Sequence, residues 1–153
     1  MERREFLAGS SGALALAAAS GLTPAHAQNA PGWNKAAFEG KSLAEVAKAL
    51  GARAVPVESR ELLLQAPEIA ENGSVVRVAA QSTLPGTTQI AFIVEKNPNA
   101  LAAVFDIHAG TDANVSTNLK LAQSSHVYAL AKVGDNYFYA VKEVKVTLGG
   151  CGG

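Results

Sequence analysis

Asn114-Val115-Ser116-Thr117-Asn118-Leu119-Lys120-Leu121 alternates without a break. Val115, Thr117, Leu119 and Leu121 fall in one phase, and Asn114, Ser116, Asn118 and Lys120 in the other. A period of two puts successive side chains on opposite faces of an extended chain, so this stretch is a strand with one buried and one wet face. The same period extends in both directions. Thr88–Glu95 places Ile90, Phe92 and Val94 on one face, and Lys96-Asn97-Pro98-Asn99 ends it. Leu101–His108 sets Leu101, Ala103, Phe105 and Ile107 against Asp106 and His108. Glu61–Ala66 and Ser74–Gln81 are separated by Pro67 and the turn Glu71-Asn72-Gly73, while Ser125–Val133 and Tyr137–Leu148 form a hairpin around Gly134-Asp135-Asn136. About seven short strands with regular turns predict a mainly β protein, an immunoglobulin-like antiparallel sandwich.

Ahead of the strands, Ser42-Leu43-Ala44-Glu45 fits a capping box, Leu43, Val46, Ala47 and Leu50 follow at helical spacing, and Gly51 supplies a stop. A short amphipathic helix over about 42–50 is expected, its apolar face packed on the domain. Asn29–Lys35, with Pro31, Gly32 and Trp33, reads as linker. The last strand changes phase: Tyr137, Tyr139 and Val141 share one face, Val144, Val146 and Leu148 the other. The switch near Lys142-Glu143 predicts a bulge or a passage between environments. Either the final apolar residues face a partner subunit or the domain covers both faces itself.

The first residues have the plan of an export signal. Arg3-Arg4-Glu5-Phe6-Leu7 precedes an uncharged run from Ala8 to Leu22 and then Pro24-Ala25-His26-Ala27. A charged start, a short apolar stretch and a small-x-small site predict cleavage after Ala27, and the paired arginines resemble the twin-arginine type. The expected organisation is therefore 1–27 leader, 28–41 linker, 42–148 sandwich with its helix, and 149–153 a flexible arm, in a periplasmic protein. The whole chain has 13 basic and 13 acidic residues, and the leader takes two of each. The balanced remainder gives no reason to expect nucleic acid or an anionic membrane surface as a partner.

The arm is Gly149-Gly150-Cys151-Gly152-Gly153, and Cys151 is the only cysteine. A thiol between paired glycines is expected on a thin filament that holds it away from the protein body, where it can enter other proteins' clefts. Extended, Leu148 to Cys151 spans roughly 10 Å. Other groups offer less. His108 and His126 lie in separate strands with no second ligand at metal spacing, Asp106 and His108 read as a solvated surface couple, and no phosphate or dinucleotide loop is present. Neither a cofactor nor a metal site is expected on this chain.

Val146-Thr147-Leu148-Gly149-Gly150-Cys151-Gly152-Gly153 resembles the arm of the SoxY family, sulfur carriers of bacterial thiosulfate oxidation. Pro67-Glu68-Ile69-Ala70-Glu71-Asn72-Gly73, Glu95-Lys96-Asn97-Pro98 and Lys120-Leu121-Ala122 are similar too. The resemblance implies a non-enzymatic carrier that works as a heterodimer with SoxZ and holds thiosulfate-derived sulfur on Cys151. It also implies transient visits to the haem c enzyme SoxAX, the hydrolase SoxB and the sulfane dehydrogenase SoxCD, which own the cofactors. Two rivals stand beside it. A Gly-Gly ending could bear sulfur as a thiocarboxylate on Gly153, which needs cytoplasmic ATP and conflicts with the leader. An exported sandwich domain could instead dimerise through an intermolecular Cys151 disulfide.

Overall fold

The computed structural model describes residues 34–147. Two helices, α1 (Lys35–Glu39) and α2 (Leu43–Ala49), precede nine strands among these residues. The strands are β1 (Val57–Glu58), β2 (Leu62–Gln65), β3 (Ile69–Ala70), β4 (Val76–Ser82), β5 (Thr87–Val94), β6 (Leu101–Asp106), β7 (Asn114–Leu119), β8 (Ser125–Val133) and β9 (Asn136–Val146). One sheet runs β1-β9-β8-β5-β6, with β3 also on β9, and the other runs β2-β4-β7. The mainly β sandwich expected from the alternation is present, and all seven expected strands are in it. The two additional strands, β1 and β3, are dipeptides that pair with β9 in parallel.

Burial follows the alternation. In β7, Leu119 is buried, Val115 and Thr117 are half-buried, and Asn114, Ser116 and Asn118 are exposed. Between the sheets lies a core of Leu62, Val76, Val78, Ile90, Phe92, Val127 and Val144 with their neighbours, and the Phe92 and Phe105 rings meet edge-on at 6.2 Å. A second cluster, with Val46, Ala47, Ala91, Ile93, Leu130 and Tyr137, lies under the helices on the outer face of the larger sheet. This second cover explains why Ile90 to Val94 is one unbroken buried run. The described residues thus form three layers: helix pair, larger sheet, smaller sheet.

Helix α2 begins and ends as its sequence predicts. The Ser42 hydroxyl accepts from the Glu45 amide (3.2 Å), and the Glu45 carboxylate accepts from the Lys41 amide (2.8 Å). Gly51, at φ 104°, donates to the Lys48 carbonyl and takes up the left-handed turn that a side chain would strain. The preceding helix, α1, falls within the segment read as linker. Asn34 caps it by accepting from the Ala37 amide (3.1 Å), and Ala37 is fully buried. Gly40 lets the two helices meet, since a Cβ there would stand 2.9 Å from Val46 Cγ2.

Two expectations change in detail. Strand β6 stops at Asp106, and His108 instead closes a turn by accepting from the Thr111 amide (3.1 Å). Strand β9 carries no bulge against β8, because its register runs unbroken from Val133↔Asn136 to Ser125↔Val144. The phase switch is a change of cover. Tyr137 and Tyr139 pack toward the helices, which do not reach as far as Glu143 and Lys145, while Val144 and Val146 pack into the domain's own core between the sheets. Val144 is fully buried there and Val146 half-buried against the same core, so the switch is explained within the domain.

Candidate functional site

Cys151 and Gly149, Gly150, Gly152 and Gly153 lie outside the described residues, as does the leader. Within them is the stretch of β9 that leads to the cysteine, and it is bonded along both edges. On one side Lys145 donates to the Glu68 carbonyl (2.9 Å) and Thr147 to the Ala70 carbonyl (3.1 Å). On the other, Val146 donates to the Ser124 hydroxyl (2.9 Å). The strand end is thus bonded by amides on alternate edges up to Thr147, four residues before Cys151.

Three segments distant in sequence meet at this root. Residues 67–73 supply β3 and the Gly73 carbonyl, which accepts from the Leu121 amide (2.7 Å). Asn97, in the turn after β5, donates to the Lys120 carbonyl (2.7 Å) and accepts from the Ala122 amide (2.9 Å). Ser125 accepts from the Lys96 amide (3.0 Å) and donates to the His126 carbonyl (2.9 Å). One asparagine thus clips two loops together with both ends of its amide, which Asp could not do because it lacks the donor. Of the segments that share the resemblance, 67–73 bonds this strand end directly, while 95–98 and 120–122 are joined to each other through Asn97.

The outer sheet face beside this root carries His126, whose Nδ1 lies 3.1 Å from a Glu95 carboxylate oxygen. Tyr128 packs on the same face, with its ring 5.9 Å from that of Tyr139. Burial, then the Glu95 charge and Tyr139, raise the Tyr128 pKa above its ordinary 10.0. No group of three His, Cys, Asp or Glu side chains able to hold a metal occurs among the described residues. Asp106 accepts from the Gln89 amide (2.9 Å), and no hydrogen bond joins it to His108. No helix among the described residues is long and apolar enough to cross a membrane.

The comparisons agree with this geometry. The family described as "SoxY: Sulfur oxidation protein SoxY" matches residues 46–151, more than half of the chain. Among solved structures, the sulfur carrier protein SoxY from Chlorobium limicola f thiosulfatophilum matches at 33% identity with a TM-score of 0.59. That alignment covers 67% of this chain and 94% of the other. A lytic polysaccharide monooxygenase from Jonesia denitrificans matches at 21% identity over 48% of this chain and 54% of its own, with a TM-score of 0.36. No curated protein matches significantly.

Proposed function

This chain belongs to the SoxY family, and from that membership we propose that it is a sulfur-oxidation carrier holding its cargo covalently on Cys151. The observation that carries the reading is the reach of the family match, which runs from Val46 through Cys151 and so takes in the single thiol together with the sandwich. Loading joins the Cys151 sulfur to the outer sulfur of thiosulfate. The thiol proton and two electrons leave, the electrons passing to a haem c partner of the SoxAX kind, and the product is Cys–S–S–SO3⁻. At a SoxB-type hydrolase a water oxygen then bonds to the sulfonate sulfur as the S–SO3⁻ bond breaks, releasing sulfate and one proton and leaving a Cys–S–SH persulfide. A SoxCD-type dehydrogenase oxidises the remaining sulfane sulfur, and SoxZ is the permanent companion. The paired arginines and the short apolar run support a periplasmic location for this carrier.

The chain's own contribution is mechanical. Each partner must bury the sulfur in order to react it, so the sulfur has to arrive on a thread narrow enough for a deep pocket. Gly149, Gly150, Gly152 and Gly153 keep side chains off that thread. The bonds of Lys145, Val146 and Thr147 give it a fixed origin, so a docked partner meets the thiol within the roughly 13 Å that four extended residues allow. Tethering keeps the intermediate concentrated beside its enzymes.

The test is Cys151→Ser. Thiosulfate-dependent reduction of the haem partner should cease, while the melting temperature and SoxZ binding stay unchanged. Continued reduction, or sulfur recovered on Gly153, would overturn the assignment.

A further inference from the structure

Strand β9 is covered unevenly along its free edge. Ser59 donates to the Tyr139 carbonyl (3.0 Å) at one end of the uncovered span, and Lys145 donates to Glu68 at the other. Between them the chain leaves β9 to form β2 in the opposite sheet. Tyr139 and Lys145 both direct backbone groups to this edge, whereas the Val146 amide points the other way. By the alternation of an antiparallel strand, the Val141 and Glu143 amides face outward too, and no strand lies against them among the described residues. An added strand could not run along this edge, because β1 and β3 close both ends of the gap.

The gap opens into a cleft of about 500 Å³ between β2 and β9. Leu62, Leu64 and Ala140 form its apolar walls, and Arg60 and Lys142 line it with positive charge. Lys142 stands directly opposite Val127, a fully buried core residue, so it occupies a position that would face the core if the sandwich were closed here. Neither Arg60 nor Lys142 forms an ion pair among the described residues, and Glu58 is the one carboxylate in the lining. An inward lysine on an open edge also discourages pairing with another sheet. That role accounts for Lys142 but leaves Arg60 and the Val141 amide without a use.

Two exposed, unpaired cations, an outward backbone N–H and the Ser59 hydroxyl line this one cleft and together make the donor set of an oxyanion site. We propose that this cleft binds a small tetrahedral dianion, the chemistry shared by sulfate, thiosulfate and phosphate. The site stands independently of sulfur carriage on Cys151, and its test is made on the Cys151→Ser chain, in which no covalent loading can occur.

Sulfate, thiosulfate and phosphate are each titrated into this ¹⁵N-labelled chain at constant ionic strength, with chloride as the reference. The amides of Ser59, Arg60, Val141 and Lys142 should shift and saturate. Arg60→Gln and Lys142→Gln should each weaken binding roughly three- to fivefold, and Lys48→Gln, on α2, should leave it unchanged. Saturation by all three anions supports a general dianion site; saturation by sulfate and thiosulfate alone supports one selective for sulfur oxyanions. Shifts that rise linearly as with chloride, or that weaken equally in Lys48→Gln, overturn the proposal.

Discussion

The two ends of β9 are held by different forces. At the Tyr137 end both faces of the strand are covered: Tyr137 is 4% exposed beneath the helices, and its hydroxyl donates to the Leu50 carbonyl at 2.6 Å. At the Thr147 end only the inward face is buried, and Glu143 and Lys145 are open to solvent. There the strand is fixed by hydrogen bonds to Glu68, Ala70 and Ser124. Burial stabilises the whole domain, because apolar area removed from water is lost only when the layers separate. Hydrogen bonds at an exposed strand end contribute little to global stability but set where the chain emerges. A carrier needs both: a body that stays folded and an origin for its thread that does not wander.

The largest effect should come from the covered end. Leu130→Ala removes a side chain 1% exposed beneath the helices and should cost about 2–5 kcal/mol in chemical denaturation. A loss below about 1 kcal/mol would mean that the helix layer contributes little and that the contrast between the ends is weak. Tyr137→Phe keeps the ring and removes the bond to Leu50, so about 1 kcal/mol should be lost.

That hydroxyl also gives the covered end a pH dependence. Burial and then the Asp135 charge raise the Tyr137 pKa above its ordinary 10.0, and Tyr128 is raised as well. A group with a raised folded pKa contributes stability that is fully present below the unfolded value and lost as pH rises through the folded one. The denaturation midpoint should therefore fall above about pH 10, and less steeply in Tyr137→Phe. An identical alkaline fall in both proteins would remove Tyr137 from the explanation.

At the bonded end the effects should be smaller and local. Ser124→Ala frees the Val146 amide and should cost at most about 1 kcal/mol. Hydrogen exchange should quicken at Val146 while Phe138 keeps its protection. Exchange that quickens along the whole strand would show that the two ends are one cooperative unit. Smallest in stability is the double change Gly149→Val, Gly150→Val. The melting temperature should hold while turnover with every partner falls and alkylation of Cys151 by a small reagent stays nearly constant. Normal turnover would show that the glycines are tolerated, not required.

Much of this body was legible in the residues. Alternation located β7 and the β8–β9 hairpin, where Gly134 at φ 59° followed by Asp135 closes a two-residue turn of type II′ geometry. Strands β1 and β3 were not legible, because two residues cannot display a period. Helix α1 was hidden for the same reason: a five-residue helix makes too little of a 3.6-residue pattern beside Gly32 and Pro31. The phase switch in β9 was visible, but its cause was not. A change of cover and a bulge give the same residue string, and the unbroken register against β8 decides between them. Cys151 stood out from its glycine setting alone. The root did not, because Glu68, Asn97 and Ser124 are far apart in sequence and only the fold brings their bonds together.

The most direct test of the account is the mass of the protein after loading. The chain is incubated with thiosulfate and its haem partner, then weighed intact and mapped by peptide. One S2O3 unit should replace one hydrogen, lie on the peptide containing Cys151, and leave when a thiol reductant is added. An adduct on any other residue, one that resists reduction, or no adduct while the partner is still reduced would contradict carriage of sulfur on Cys151.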